Sequence, residues 1–200
     1  EISNITKKFG KELVLNGFSL SIKESESLCL IGTSGSGKSV ALKCLIGLLS
    51  PDGGSIKVDG KETIGQSKAQ HEALLDHFGM TFQFGALFDS LPVWENVTFR
   101  LRRKEKLNKI EAKEIARDIV SQLGLGPQVL DLFPAELSGG MQKRVAIARA
   151  IVNEPKYLFC DEPNSGLDPK TAIVIDNLIK EITEELNITT IINSHDMNSV

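Results

Sequence analysis

The run "SLCLIGTSGSGKSVALKCLIGLL", residues 27–49, constrains this chain more than any other stretch. Residues 28–31 are apolar and read as a short buried strand, and from Val40 onward apolar residues recur at helical spacing. Between them lies Gly32–Ser39, "GTSGSGKS", which matches G-x-x-x-x-G-K-[ST] in the strand-to-helix setting that this pattern requires. The glycines let successive backbone N–H groups point inward around phosphate oxygens, and the helix start adds the positive end of its dipole. Gly32, Thr33, Ser34, Gly35, Ser36, Gly37, Lys38, Ser39 and Val40 are therefore the expected phosphate-binding residues. Lys38 is placed to reach β and γ phosphates, and the Ser39 hydroxyl to bind Mg²⁺ between them.

Composition narrows the setting of such a loop. Two hundred residues, 41% hydrophobic and 24% charged, suffice for one good core, so residues 1–200 are expected to form one compact domain. The 23 basic and 26 acidic side chains leave a formal charge of -3, which offers no polycationic surface and argues against nucleic acid as a partner. Cys29, Cys44 and Cys160 have no CxxC spacing; they fit a reducing compartment and small core positions rather than a disulfide frame or a zinc site. No apolar run approaches the ~18 residues needed to span a bilayer, and no signal-peptide layout opens the chain. A soluble protein is expected, with any membrane role supplied through a partner.

The remaining segments set out the architecture. "EISNITKKFG" and "LVLNGFSLSI" read as strands joined by a turn at Gly10, "SPDGGSIKVDGKE" as a turn and a strand, and "FGMTFQ" as another strand. Residues 93–152 are mainly helical, with "IEAKEIARDIVSQLGL" stopped by Gly124 and "MQKRVAIARAIV" as a further helix. "KYLFCDEP" returns to a buried strand, Pro169 opens a long helix, and "ITTIINSH" is the last strand. Strands at both ends with helices between imply an α/β core, residues 1–84 and 153–200, and a helical insertion at about 85–152.

Mg²⁺ needs oxygen ligands, and a water attacking phosphorus needs orientation or a base. Asp161 and Glu162, at the end of the apolar strand "YLFCD", supply both: Asp161 as a Mg²⁺ partner and Glu162 as the base. Such a pair alone is ordinarily a solvated strand end; the phosphate loop changes that balance. "AELSGGMQKRVAIARAI" then decides between readings. Ser138, Gly139 and Gly140 open a helix whose N–H groups form a second phosphate-binding end. "LSGG" before a basic helix resembles the signature of ATP-binding-cassette (ABC) ATPases.

That resemblance covers essentially the whole chain, with the motifs in the family's order. It implies a P-loop NTPase fold of the ABC type: a RecA-like core, an N-terminal antiparallel β subdomain and an inserted helical subdomain. It also implies ATP and Mg²⁺ as cofactors, ATP hydrolysis, and a head-to-tail dimer in which one chain's signature closes over its partner's γ-phosphate. Phe9 stands where the family usually has a Tyr stacking on adenine, and Gln83 at the position whose amide contacts Mg²⁺ or the attacking water. "DEPNSGLDP" is similar to the usual D-E-P-T-S-G-L-D-P, with Asn164 for Thr and Asp168 reaching across the dimer. His195 matches the histidine that contacts the γ-phosphate. Met141 departs from the common Gln. The resemblance thus implies Glu162, His195, Gln83 and Lys38 as catalytic residues, and Ser39, Gln83 and Asp161 as metal-binding ones.

Within the family, a transporter engine, a soluble protein acting on nucleic acid or ribosomes, and a non-hydrolysing regulator compete. One cassette without a heptad insertion disfavours the second reading, and the presence of Lys38, Glu162 and His195 disfavours the third. The stretch "FQFGALFDSLPVWENV", residues 82–97, is similar to the corresponding run of Mla- or Mce-type bacterial phospholipid transporters and their chloroplast relatives. That likeness implies phospholipid transport, a homodimer or heterodimer of ATPase subunits, membrane permease subunits docked on residues 84–92, and an Mce-type substrate-binding protein. It implies a peripheral position on the cytoplasmic face of the bacterial inner membrane, or the stromal side of the chloroplast inner envelope. Amino-acid importers and lipoprotein exporters are the alternative transporters. Phe84, Leu87 and Phe88 are equally open to being core side chains or an exposed interface.

Overall fold

The computed structural model describes residues 1–33 and 35–195. Two four-stranded sheets form the frame. The first is antiparallel, in the order β2 (Glu12–Leu20), β1 (Ile2–Phe9), β4 (Gly53–Val58), β5 (Lys61–Glu62). The second is wholly parallel, in the order β3 (Ser27–Ile31), β8 (Thr189–Ser194), β7 (Tyr157–Asp161), β6 (Phe78–Thr81). Strand β3 runs into the loop and then helix α1 (Lys38–Leu45), as the sequence predicts.

The parallel sheet is covered on both faces, so its inner strands β7 and β8 are buried along most of their length rather than alternating, even where β8 carries Thr, Asn and Ser. Alternate residues of β7 face different clusters: Leu158 and Cys160 join one, Phe159 the other. The first cluster gathers helices α3 (Val93–Glu105), α4 (Lys109–Gln122), α5 (Gly139–Ile151) and α6 (Pro169–Glu185). The second joins the antiparallel sheet and α1 to the parallel sheet through Ile5, Leu42, Ile56 and Phe159. Cys44 and Cys160 are core residues while Cys29 is half-buried; all three are free thiols, and burial pushes the Cys160 thiol up to about 12.

Local chemistry explains the helix limits. Asn108 caps α4 by accepting from the Ile110 and Glu111 amides, the Glu111 carboxylate accepts from the Asn108 backbone N–H, and Ala112, Ala116 and Val120 form the buried stripe. Gly124 takes φ +68° just beyond the helix. Helix α2 (Lys68–Leu75) is not evident from apolar periodicity, since none of its residues is buried; its signal is the capping box of Ser67 and Gln70. Helix α1 ends at Leu45, short of the apolar run's end at Leu49, and Gly47 follows with φ +73°.

Helix α5 lies directly on β6. A Cβ at Gly79 would stand 2.4 Å from the Ala150 carbonyl oxygen and 3.0 Å from Pro155 Cγ. Overpacking there has to shift backbone, so Gly79→Ala is expected to lower the unfolding free energy by about 1–3 kcal/mol in chemical denaturation. An unchanged denaturation midpoint would show that α5 and β6 are not in this contact.

Candidate functional site

The loop after β3 has the geometry of an anion cradle. Gly35 and Gly37 take φ of +81° and +92°, and a Cβ on Gly37 would lie 3.0 Å from the Val14 carbonyl oxygen. Gly37 supplies no side-chain cap to α1, so the helix start presents its backbone donors to whatever anion lies there. The Lys38 ammonium arches back over the loop, donating to the Gly32 carbonyl at 2.6 Å and the Thr33 carbonyl at 3.1 Å. A cleft of about 440 Å³ opens beside it, lined by Val14, Gly35, Ser36, Gly37, Lys38, Ser39, Val40, Gln83, Glu162 and His195. Ser34 lies outside the described residues.

Parallel pairing brings the acidic residues to this cleft. Asp161 is opposite Asn193, and Ile31 opposite Ser194, so the ends of β3, β7 and β8 are level. The Ser39 hydroxyl donates to Asp161 Oδ1 at 3.0 Å. The Asn193 amide nitrogen donates to Ser39 Oγ at 3.2 Å and to the same Asp161 oxygen. Glu162, one residue further, has φ +48°, an uncommon conformation for a residue with a Cβ, and its N–H donates to the Asn193 carbonyl at 2.9 Å. Its carboxylate is held from two sides: the Gln83 amide donates to Oε2 at 3.0 Å, and His195 Nδ1 lies 3.3 Å from Oε1.

Helix α5 clasps the segment that carries Gln83. The Lys143 ammonium, 8% exposed, donates to the Gln83 carbonyl and lies 3.5 Å from the Glu162 carbonyl oxygen. Burial pushes its pKa below the ordinary lysine value, and the Glu162 charge opposes that shift. The Arg149 fork donates to the carbonyls of Gly85 and Ala86, each at 2.7 Å. Both residues have positive φ, +74° and +49°, and Phe84 just before them is 84% exposed. Leu87 is partly buried against the helical core, whereas Phe88 is 42% exposed and stacks obliquely on Phe99 at 4.6 Å. The buried Asn96 side chain holds the next turn, accepting from the Phe88 amide at 2.7 Å and donating to the carbonyls of Phe88 and Leu91.

Other expected residues lie apart from the cleft. Phe9 is exposed beneath the Lys7 ammonium and does not line it, although Val14 of the neighbouring strand does. Ser138 caps α5 by accepting from the Met141 amide at 3.3 Å, and neither it nor Gly139 and Gly140 line the cleft. Asp168 caps α6, accepting from the amides of Lys170 and Thr171. The hydrogen bond from the Thr171 hydroxyl, ahead of those amides, holds its carboxyl below the usual range. Asn164 is buried and donates to both carboxylate oxygens of Asp176.

Sequence reasoning missed Lys143, Arg149, Asn96 and Asn193. Lys143 stands at the same helical position as buried Ile147 and Ile151, so a charge on an apolar stripe was its signal. Asn193 is the one amide of the strand Thr189–Ser194 and directly follows Ile191 and Ile192. Arg149 has no comparable signal, because its partners are backbone carbonyls 63 and 64 residues away.

The donors, hydroxyl and carboxylate at the cleft suit a polyphosphate with a divalent cation. Among the described residues no group of three His, Cys, Asp or Glu side chains could hold a metal unaided. No described helix is long and apolar enough to cross a membrane.

Comparison with known proteins agrees with this geometry. The profile of the ABC transporter family matches residues 15–165. The probable ribonucleotide transport ATP-binding protein mkl of Mycobacterium tuberculosis is 40% identical over 198 residues, covering 99% of this chain and 55% of that protein. The chloroplastic protein trigalactosyldiacylglycerol 3 of Arabidopsis thaliana is 40% identical over 189 residues, covering 91% of this chain and 54% of that protein. This chain thus spans about half the length of these curated relatives; others are named for methionine or sulfate/thiosulfate import. Among solved structures, the dimeric ATP-binding cassette MJ0796 in a post-hydrolysis state with ADP and Pi superposes with a TM-score of 0.89 at 33% identity, covering 99% of this chain and 88% of that one. The chain therefore belongs to the ABC transporter family, as an ATP-binding cassette.

Proposed function

We propose that this chain binds ATP with Mg²⁺ in the cleft and hydrolyses it to drive a membrane transporter. The observation that carries the reading is the Glu162 carboxylate, held between Gln83 and His195 at the edge of a glycine-rich anion cradle. A carboxylate fixed in this way accepts the proton of a water as its oxygen attacks the γ-phosphorus, while the bond to the β-phosphate oxygen breaks. Lys38, released from the loop carbonyls, moves its ammonium to the phosphates and offsets the growing charge on the leaving oxygen. Ser39, Asp161 and Gln83 are the residues that would hold Mg²⁺, which would offset phosphate charge when bound. His195 orients Glu162 and reaches the γ-phosphate.

Two copies would pair head to tail. The helix end at Ser138, Gly139 and Gly140 does not line the phosphate-loop cleft of its own chain, and a second copy would give it a γ-phosphate to meet. Asp168 would lie at the same junction. The dimeric, ADP- and Pi-bound relative supports this arrangement.

The transported class is a phospholipid in this reading. Support comes from the segment "FGALFDS" and from the relative named for a galactolipid. Residues 84–92 dock the permease subunits, and an Mce-type protein completes the complex at the cytoplasmic face of the bacterial inner membrane or the stromal side of the chloroplast envelope. The relatives named for methionine and sulfate import support a second reading, a small-solute importer.

Glu162→Gln is expected to retain nucleotide binding and lower turnover by on the order of 10²–10⁴-fold in a phosphate-release assay. Parental turnover would remove Glu162 as the base. Affinity purification of the complex followed by mass spectrometry should recover permease chains and phospholipid with the parental protein, and neither with Phe84→Asp. Recovery of amino-acid-importer subunits would overturn the lipid reading, and undiminished recovery with Phe84→Asp would overturn the docking site.

A further inference from the structure

Asn193 is the only amide in β8 and is fully buried. Its Nδ2 donates to both Ser39 Oγ and Asp161 Oδ1, while its Oδ1 has no hydrogen-bond partner among the described residues. A packed apolar residue would leave no such orphan, so the amide is retained at a cost that its packing does not explain. Its orientation is fixed by chemistry: the reverse flip would set Oδ1 against the Asp161 carboxylate.

The two donated bonds have one geometric effect. Ser39 comes from the start of α1 and Asp161 from the end of β7, elements 122 residues apart in sequence. The amide, together with the Ser39 hydroxyl, closes a triangle that fixes both side chains against β8. Both bonds to Asp161 fall on Oδ1, so Oδ2 keeps its lone pairs for another partner. Groups that orient metal ligands from behind set how tightly the metal is held.

We propose that Asn193 is a positioning residue for the Mg²⁺ of the ATP site, presenting the Ser39 oxygen and the Asp161 carboxylate to the cation at a fixed separation. This rests on the ATP-binding reading and adds a residue to it. The role predicts a loss confined to the metal-dependent part of nucleotide affinity, which a purely structural amide would not show.

The test is isothermal titration calorimetry of a non-hydrolysable ATP analogue, once with Mg²⁺ and once with EDTA, on the parental protein, Asn193→Val and Asn193→Thr. Asn193→Val should bind about tenfold more weakly with Mg²⁺ and within about twofold of the parental protein in EDTA. Asn193→Thr, which keeps one hydroxyl donor on a β-branched side chain suited to a strand, should fall between them, and it carries the test if the valine variant does not fold. Equal losses in both conditions, or no loss with Mg²⁺, would overturn the assignment. A parental protein that ignores Mg²⁺ or binds no nucleotide would instead overturn the ATP-site reading, and this inference with it.

Discussion

The Glu162 N–H donates to the Asn193 carbonyl, continuing the parallel ladder one step beyond the Asp161–Asn193 pair. That bond fixes the turn at which β7 stops being a strand and its carboxylates become available. Everything at the cleft is measured from it: Asp161 faces Ser39, Glu162 turns through a left-handed conformation toward Gln83, and His195 follows two residues after Asn193. Because side chains alternate along a strand, a slip of one residue between β7 and β8 would send Asp161 to the opposite face. The apolar residues on both faces of the sheet prevent that slip, since Leu158 and Phe159 each have a separate cluster to enter.

From this fixed point the molecule extends outward through α5. Its N-terminal turn carries Ser138, its middle grips Gln83 through Lys143, and its last turn holds Gly85 and Ala86 through Arg149. The three grips are made by one rigid helix, so any displacement of α5 moves the backbone of residues 83–86 with it. The same displacement acts on Glu162 through its carbonyl, which the Lys143 ammonium also approaches. In the proposed function, closure of a partner over the signature end would thus be felt both at the catalytic carboxylate and at the docking face, along a path of packed, hydrogen-bonded groups.

Local physics made much of this legible in the sequence. The glycine loop, the capped helices and the apolar parallel strands are dictated by residues within a few positions of one another, and the strand–loop–helix at 27–45 appears where the pattern places it. Helix α2 was hidden because a surface helix with no buried residue has no apolar period to display. The clasp of α5 on residues 83–86 was hidden for a different reason: a cation bonded to main-chain carbonyls has no complementary side chain to find. Phe9 entered only by resemblance; it does not line the cleft, whose apolar residues are Val14 and Val40.

The exposed Phe84 becomes intelligible from its supports. A phenyl ring at 84% exposure gains nothing from burial within its own chain. The turn after it contains a glycine and an alanine at positive φ, and the half-buried Arg149 donates to both of their carbonyls. Of these, the left-handed Ala86 is the strained element, since a residue with a Cβ seldom adopts positive φ. An exposed phenyl ring in the same segment as a groove lined by Met80, Phe82, Ala86 and Phe88 favours a surface completed by another molecule. Phe84 is one residue from Gln83, so a partner seated on it would bear on the backbone that positions the Gln83 amide against Glu162.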